Sequence, residues 1–178
     1  MSNITRLTAA GIIATGMTVA GQLPHASALP AGFPDLNAFA PVPAEGFMGT
    51  SAIGPGRYVS FSTPYNIQCG FIATVTPQPA GQPQAIHCEG EFPGVGTGST
   101  PPCTVGTVTD WGATGFKLGT QNGCPVSEYN AGALLNPGQK IVYQNVTCAV
   151  GGNQMVACLD TSLGQHGFVL QPSGNVAF

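Results

Sequence analysis

From Arg57 to the C-terminus, short apolar runs alternate with clusters of Gly, Pro and Asn. The runs are RYVSFS, IQCGFIATV, QAIHC, GTVTDWG, TGFKLG, KIVYQNVTCAV, QMVACL, GFVLQ and NVAF. All are short and rich in β-branched or aromatic side chains, which is the pattern of strands bounded by turns. KIVYQNVTCAV carries Gln144-Asn145 at its middle and predicts two strands joined there. CAVGGNQMVAC predicts a hairpin, because two apolar runs meet at Gly151-Gly152-Asn153. No stretch keeps apolar residues at i, i+3, i+4 and i+7 for three turns without a Gly or Pro. The best helical candidate, VSEYNAGALL, has Ser127 as a cap but is interrupted by Gly132. The pattern predicts an all-β chain of about eight to ten short strands, arranged as a small sandwich or barrel.

Residues 1–56 follow a different pattern. Arg6 precedes a weakly apolar stretch from Leu7 to Ala20, and Ala26-Ser27-Ala28 follows. This order predicts a secretory signal peptide over residues 1–28, cleaved after Ala28. The stretch is too short and too interrupted for a membrane span, which needs about 20 predominantly apolar residues. The first Cys is Cys69, so a lipid anchor on a cysteine at the cut does not arise. Residues 29–56 hold five Pro and the spaced anchors Phe33, Leu36, Phe39, Val42 and Phe47. They predict an extended arm laid across the domain that occupies residues 57–178.

Composition narrows the function. Charged residues make up 6% of the chain. Ordinary soluble domains carry about 25%. Four Lys and Arg are too few to neutralise a run of phosphates, which excludes nucleic acid as a partner. Gly (26) and Pro (16) form about a quarter of the 178 residues, yet 43% are hydrophobic. That apolar content excludes charged disorder too.

All six Cys (69, 88, 103, 124, 148 and 158) lie after the predicted cut. An even count in an exported chain predicts disulfides, with 15 connectivities open to six Cys. Spacing favours neighbours: Cys69–Cys88, Cys103–Cys124 and Cys148–Cys158, each bracketing a hairpin or a short segment. Structural zinc draws on Cys two to four residues apart. No such pair occurs. The missing C-x-x-C also argues against disulfide exchange.

FSTPYNIQCGF, IHCEGEFP, PPC, DWG, LNPGQKIVYQNVTCAV, MVACLD and GQHGFVLQPSGNVAF follow one another in order. Together they resemble a domain of unknown function that recurs in secreted actinobacterial proteins. The resemblance covers residues 57–178, and the FPDLNAF arm is similar to exported mycobacterial proteins. Pro64-Tyr65-Asn66 departs from the family's usual Pro-Ser-Gly-Asn, which puts the first turn in question. The resemblance implies export, fold and neighbour-paired disulfides, and carries no activity with it.

Candidate chemistry is sparse. His166 could act as a base with Asp160 or Asp110 and a nucleophile such as Ser127 or Ser173. No G-x-S-x-G elbow supports that use, and a histidine fixing its turn is the simpler reading. Glu89 and Glu91 share a face if both lie on one strand, as a glycosidase pair would. A solvated acidic edge is the simpler explanation of the two. Trp111 is read as a core aromatic or a ligand platform. Asn145-Val146-Thr147 matches a glycosylation acceptor and is read as strand sequence leading to Cys148. No catalytic, cofactor or metal motif is recognisable. The expectation is an exported, non-catalytic binding or structural module of the cell envelope or extracellular space. Its partner would be an envelope glycan, lipid or protein, and a small hydrolase using His166 is the alternative.

Overall fold

The structure is a computed structural model that describes residues 28–50, 56–74, 85–95, 104–109, 115–122, 132–162 and 164–178. The described residues form thirteen strands. They begin with β1 (Ala40–Val42), β2 (Met48–Thr50), β3 (Gly56–Ser62), β4 (Ile67–Thr74), β5 (Ile86–Gly90), β6 (Thr104–Thr109) and β7 (Lys117–Asn122). β8 (Ala133–Leu134), β9 (Gln139–Tyr143), β10 (Val146–Val150), β11 (Val156–Asp160), β12 (His166–Leu170) and β13 (Val176–Ala177) complete them. One sheet has six strands in the order β1-β9-β10-β11-β12-β13. The other has seven, in the order β2-β3-β4-β5-β6-β7, with β8 also paired to β3.

The two sheets pack through one core. Val59, Phe61, Ile67, Phe71, Ile86 and Val108 come from the seven-stranded sheet, and Ile141, Val146, Val150, Val156, Phe168 and Leu170 from the other. Phe61 meets Phe71 edge-on at 6.2 Å between ring centres, and Phe116 meets Phe168 at 5.2 Å. Burying such rings stabilises the fold more than their area alone, because the edge of one aligns with the face of the other. The architecture is therefore a sandwich rather than a closed barrel.

Two disulfides lie inside this core. Cys69 and Cys88 are directly opposite on β4 and β5, and Cys148 and Cys158 on β10 and β11. Each pair has a Cα–Cα distance of 4.1 Å. That spacing suits the close, non-hydrogen-bonded positions of an antiparallel ladder. A bridge at such a position fixes register, since a slip of one strand by one residue would turn its sulfur to the opposite face from its partner's. The expected Cys103–Cys124 pair lies outside the described residues, as do Trp111, Asp110, Ser127 and residues 1–27 of the predicted signal peptide.

Both expected turns form. Gln144 (φ 51°) opens the two-residue turn between β9 and β10. The hairpin of β10 and β11 turns at Asn153 (φ 53°) and Gln154 (φ 58°). A left-handed pair of this kind matches the twist of the flanking strands. At the first turn, Thr63 Oγ1 accepts from the N–H groups of Tyr65 and Ile67, and Tyr65 Oη donates to the Gly151 carbonyl at 2.7 Å. Tyr65 thereby ties the turn of one sheet to the hairpin of the other. Of the helical candidate VSEYNAGALL, residues 126–131 lie outside the described residues, and Ala133 and Leu134 are strand, extended beside Phe61 and Ser62.

The arm supplies a strand to each sheet. β1 pairs in parallel with β9, and β2 antiparallel with β3. These short additions, with β8, raise the strand number above that read from apolar runs. Upstream of β1, a 3-10 turn at Leu36–Ala38 contacts β10, and Lys140 Nζ donates to the Leu36 carbonyl at 2.8 Å. On that outer side of the sheet Ala149 and Ala157 are fully buried, although they point away from the disulfide core. Phe33 packs edge-on against Phe178 at 5.4 Å, so the two ends of the described chain meet.

Replacing Cys148 and Cys158 together by Ala should lower stability by about 3 kcal/mol, the entropic value for so short a loop. Urea unfolding of the oxidised protein measures this. A loss below about 1 kcal/mol would show that the bridge adds nothing to the ladder's own hydrogen bonds.

Candidate functional site

The register forced by Cys69–Cys88 decides which residues of the seven-stranded sheet face outward. Strand side chains alternate, so Gln68 and Gly70 flank Cys69 on the outer face, and His87 and Glu89 flank Cys88. Cross-strand pairing sets Gln68 opposite Glu89 and Gly70 opposite His87. On the next strand Thr107 stands opposite Glu89, and Thr109 opposite His87. Beyond these, Gly119 pairs with Thr107 and Lys117 with Thr109. Two polar rows therefore run across β4 to β7: Gln68, Glu89, Thr107, and His87, Thr109, Lys117.

A chain of hydrogen bonds links the rows. Gln68 Nε2 donates to Glu89 Oε1 at 3.0 Å. His87 Nε2 lies 3.4 Å from Glu89 Oε2, and His87 Nδ1 lies 3.1 Å from Thr109 Oγ1. The direction of the chain follows from donor chemistry. An ionised carboxylate only accepts, so Nε2 carries the hydrogen of the neutral ring and Nδ1 accepts from the Thr109 hydroxyl. The His87 side chain is 43% exposed and that of Glu89 22%, so the group is open to solvent.

The carboxylates read as a possible pair are separated in function. β5 ends at Gly90, and Glu91 Oε2 accepts from Asn66 Nδ2 at 3.2 Å, beyond the strand. Glu89 is held by Gln68 and His87. Each carboxylate therefore has its own amide rather than facing the other across a cleft.

His166 lies elsewhere, at one end of the six-stranded sheet. It stands directly opposite Asp160, as the sequence candidates had it. Asp160 is 1% exposed, and its Oδ1 accepts from the Ser162 N–H at 2.7 Å. Ser173 is not at this end. It follows β12 and lines an open groove of about 690 Å³ with Pro34, Asn153, Gln154, Met155 and Gln171. The whole length of β12 separates the two ends. For an extended strand of that length this is roughly 15 Å. Ser173 is therefore excluded as a nucleophile for His166. Asp110, Ser127 and Trp111 lie outside the described residues. Among the described residues no group of three or more His, Cys, Asp or Glu is placed to hold a metal ion.

Comparison of the chain with family models, with curated proteins and with solved structures finds no match. The functional reading therefore rests on the site.

The hydrogen-bond chain makes a definite prediction about His87. In the neutral ring the hydrogen should reside on Nε2, read directly from imidazole nitrogen shifts in an NMR spectrum. Glu89→Gln should weaken that preference, and Thr109→Val should leave Nδ1 without its donor. A wild-type ring carrying its hydrogen on Nδ1 would reverse the direction assigned to the chain.

Proposed function

We propose that this is an exported, disulfide-stapled module that binds an extracellular or envelope partner through the outer face of its seven-stranded sheet, without catalysis. The observation that carries this reading is the Gln68–Glu89–His87–Thr109 chain of hydrogen bonds on an open face. A surface whose side chains already hold one another loses little freedom when a ligand settles on it. The two disulfides support an oxidising compartment. Among the described residues no helix is long and apolar enough to cross a membrane. Export by the signal segment 1–28 belongs to the same proposal, as does the kinship with secreted actinobacterial domains.

Wiring of a hydroxyl, an imidazole and a carboxylate is also that of a hydrolytic triad. Its setting favours binding. Thr109 and His87 lie in strands paired on both sides, so the neighbouring N–H groups are committed to the ladder. An oxyanion hole needs free donors aimed at the developing charge. The alternative hydrolase draws on one feature, the placing of His166 opposite Asp160.

Retention on envelope fractions tests the proposal. The oxidised protein should sediment with cell-wall material, and the combined variant Gln68→Ala, Glu89→Ala, Thr109→Val should lose that retention at least tenfold. Asn153→Ala, in the groove away from this face, should retain it. Unchanged sedimentation of the triple variant would remove this face from the function. A turnover abolished by His166→Ala in a folded protein would replace binding by catalysis.

A further inference from the structure

Resting on the reading just given, the geometry of the same face points to a class of ligand. We propose that the two polar rows form a track for a linear, uncharged, hydroxyl-rich chain, a neutral glycan, lying across the strands. Neighbouring strands are about 4.8 Å apart, and residues i and i+2 on one strand are about 6.8 Å apart. Because His87 and Glu89 bridge the rows, a chain would lie over them, meeting Gln68, Glu89 and Thr107 along one edge and His87, Thr109 and Lys117 along the other.

Donor and acceptor capacity selects what such a chain must offer. One Gln68 Nε2 hydrogen is spent on Glu89, and its amide oxygen is a further acceptor. The Thr109 hydrogen is spent on His87, which leaves that hydroxyl's lone pairs outward. Glu89 only accepts. The second Gln68 Nε2 hydrogen and the Thr107 hydroxyl add donors, so the track offers both acceptors and donors and suits a ligand of hydroxyls, which do both. Lys117, exposed at the edge, is a donor for a ligand oxygen. The charges of Glu89 and Lys117 in the rows are opposite, which favours an uncharged ligand over a polyanion or polycation.

Gly70 and Gly119 occupy the row positions beside His87 and Thr107. The floor is open at Gly70, where a Cβ would meet only the Val59 carbonyl, at 3.7 Å, whereas at Gly119 a Cβ would lie 3.1 Å from Thr107 Oγ1, so that end is narrowed by the Thr107 hydroxyl. None of the six track residues is Phe, Tyr or Trp. Affinity would then come from spread hydrogen bonds rather than from stacking on such rings. Each net hydrogen bond adds modestly, so a short oligosaccharide should bind with a dissociation constant of roughly 0.1–1 mM.

NMR titration of the oxidised full protein with cellohexaose, maltohexaose and a linear β-1,3-glucan hexamer tests the track, with hexalysine as the charged comparison. At least one neutral hexamer should move the resonances of Gln68, His87, Glu89, Thr107, Thr109 and Lys117 together. Thr109→Val should raise its dissociation constant about fivefold, and Thr107→Val serves the same purpose if the first variant fails to fold. Silence from all three glycans, or tighter binding of hexalysine, would overturn the glycan assignment. If the triple variant still loses envelope retention in that case, the binding face stands and only its ligand class is wrong. If retention too is unaffected, the binding reading itself has failed.

Discussion

The orientation of the sheets depends on two pairs of cysteines that stand directly opposite each other on neighbouring strands. Cys69 with Cys88 and Cys148 with Cys158 are buried in one shared core, one pair on each sheet. Because side chains alternate strictly along a strand, placing a sulfur inward settles the facing of every neighbour. Phe71 and Ile86 join Cys69 and Cys88 in the core, and Gln68, His87 and Glu89 are turned to water. The covalent framework therefore stabilises the fold and also positions the polar face. The hydrogen bonds from Gln68 to Thr109 exist only in this register.

The two outer faces are used differently. On the six-stranded sheet, Ala149 and Ala157 are small enough to lie beneath other parts of the chain, and the arm reaches this side through Leu36 and Lys140. On the seven-stranded sheet the outer positions carry hydroxyl, amide, imidazole, carboxylate and ammonium groups. A chain with 6% charged residues has few to place, yet Glu89 and Lys117 both fall on this face beside His87.

Much of the fold was legible because strand and turn signals are local. The break at Gln144-Asn145, the hairpin read at Gly151-Gly152-Asn153, which turns one residue later at Asn153 and Gln154, and the two neighbour disulfides are legible in short runs of sequence. The short strands of the arm could not, since β1 is three residues containing Pro41 and owes its existence to β9, far along the chain. The polar face was hidden for the same reason. Thr109 is 22 residues from His87 and Gln68 is 21 from Glu89, so their bonds depend on register. A signal was present all the same: bridging Cys69 to Cys88 places Gln68 opposite Glu89 by alternation alone. His166 stands out in the sequence by its flanking glycines; the ladder sets Asp160 opposite it, and Ser173 lies at the other end of the strand.

The central claim is that the bridges join residues already opposite in the ladder, and peptide mapping of the unreduced protein tests it most directly. Digestion should release Cys69 linked to Cys88 and Cys148 linked to Cys158, with no peptide joining the two sheets. A bridge such as Cys69–Cys158 would contradict the account. It would set a different register, and the polar face as described would not exist.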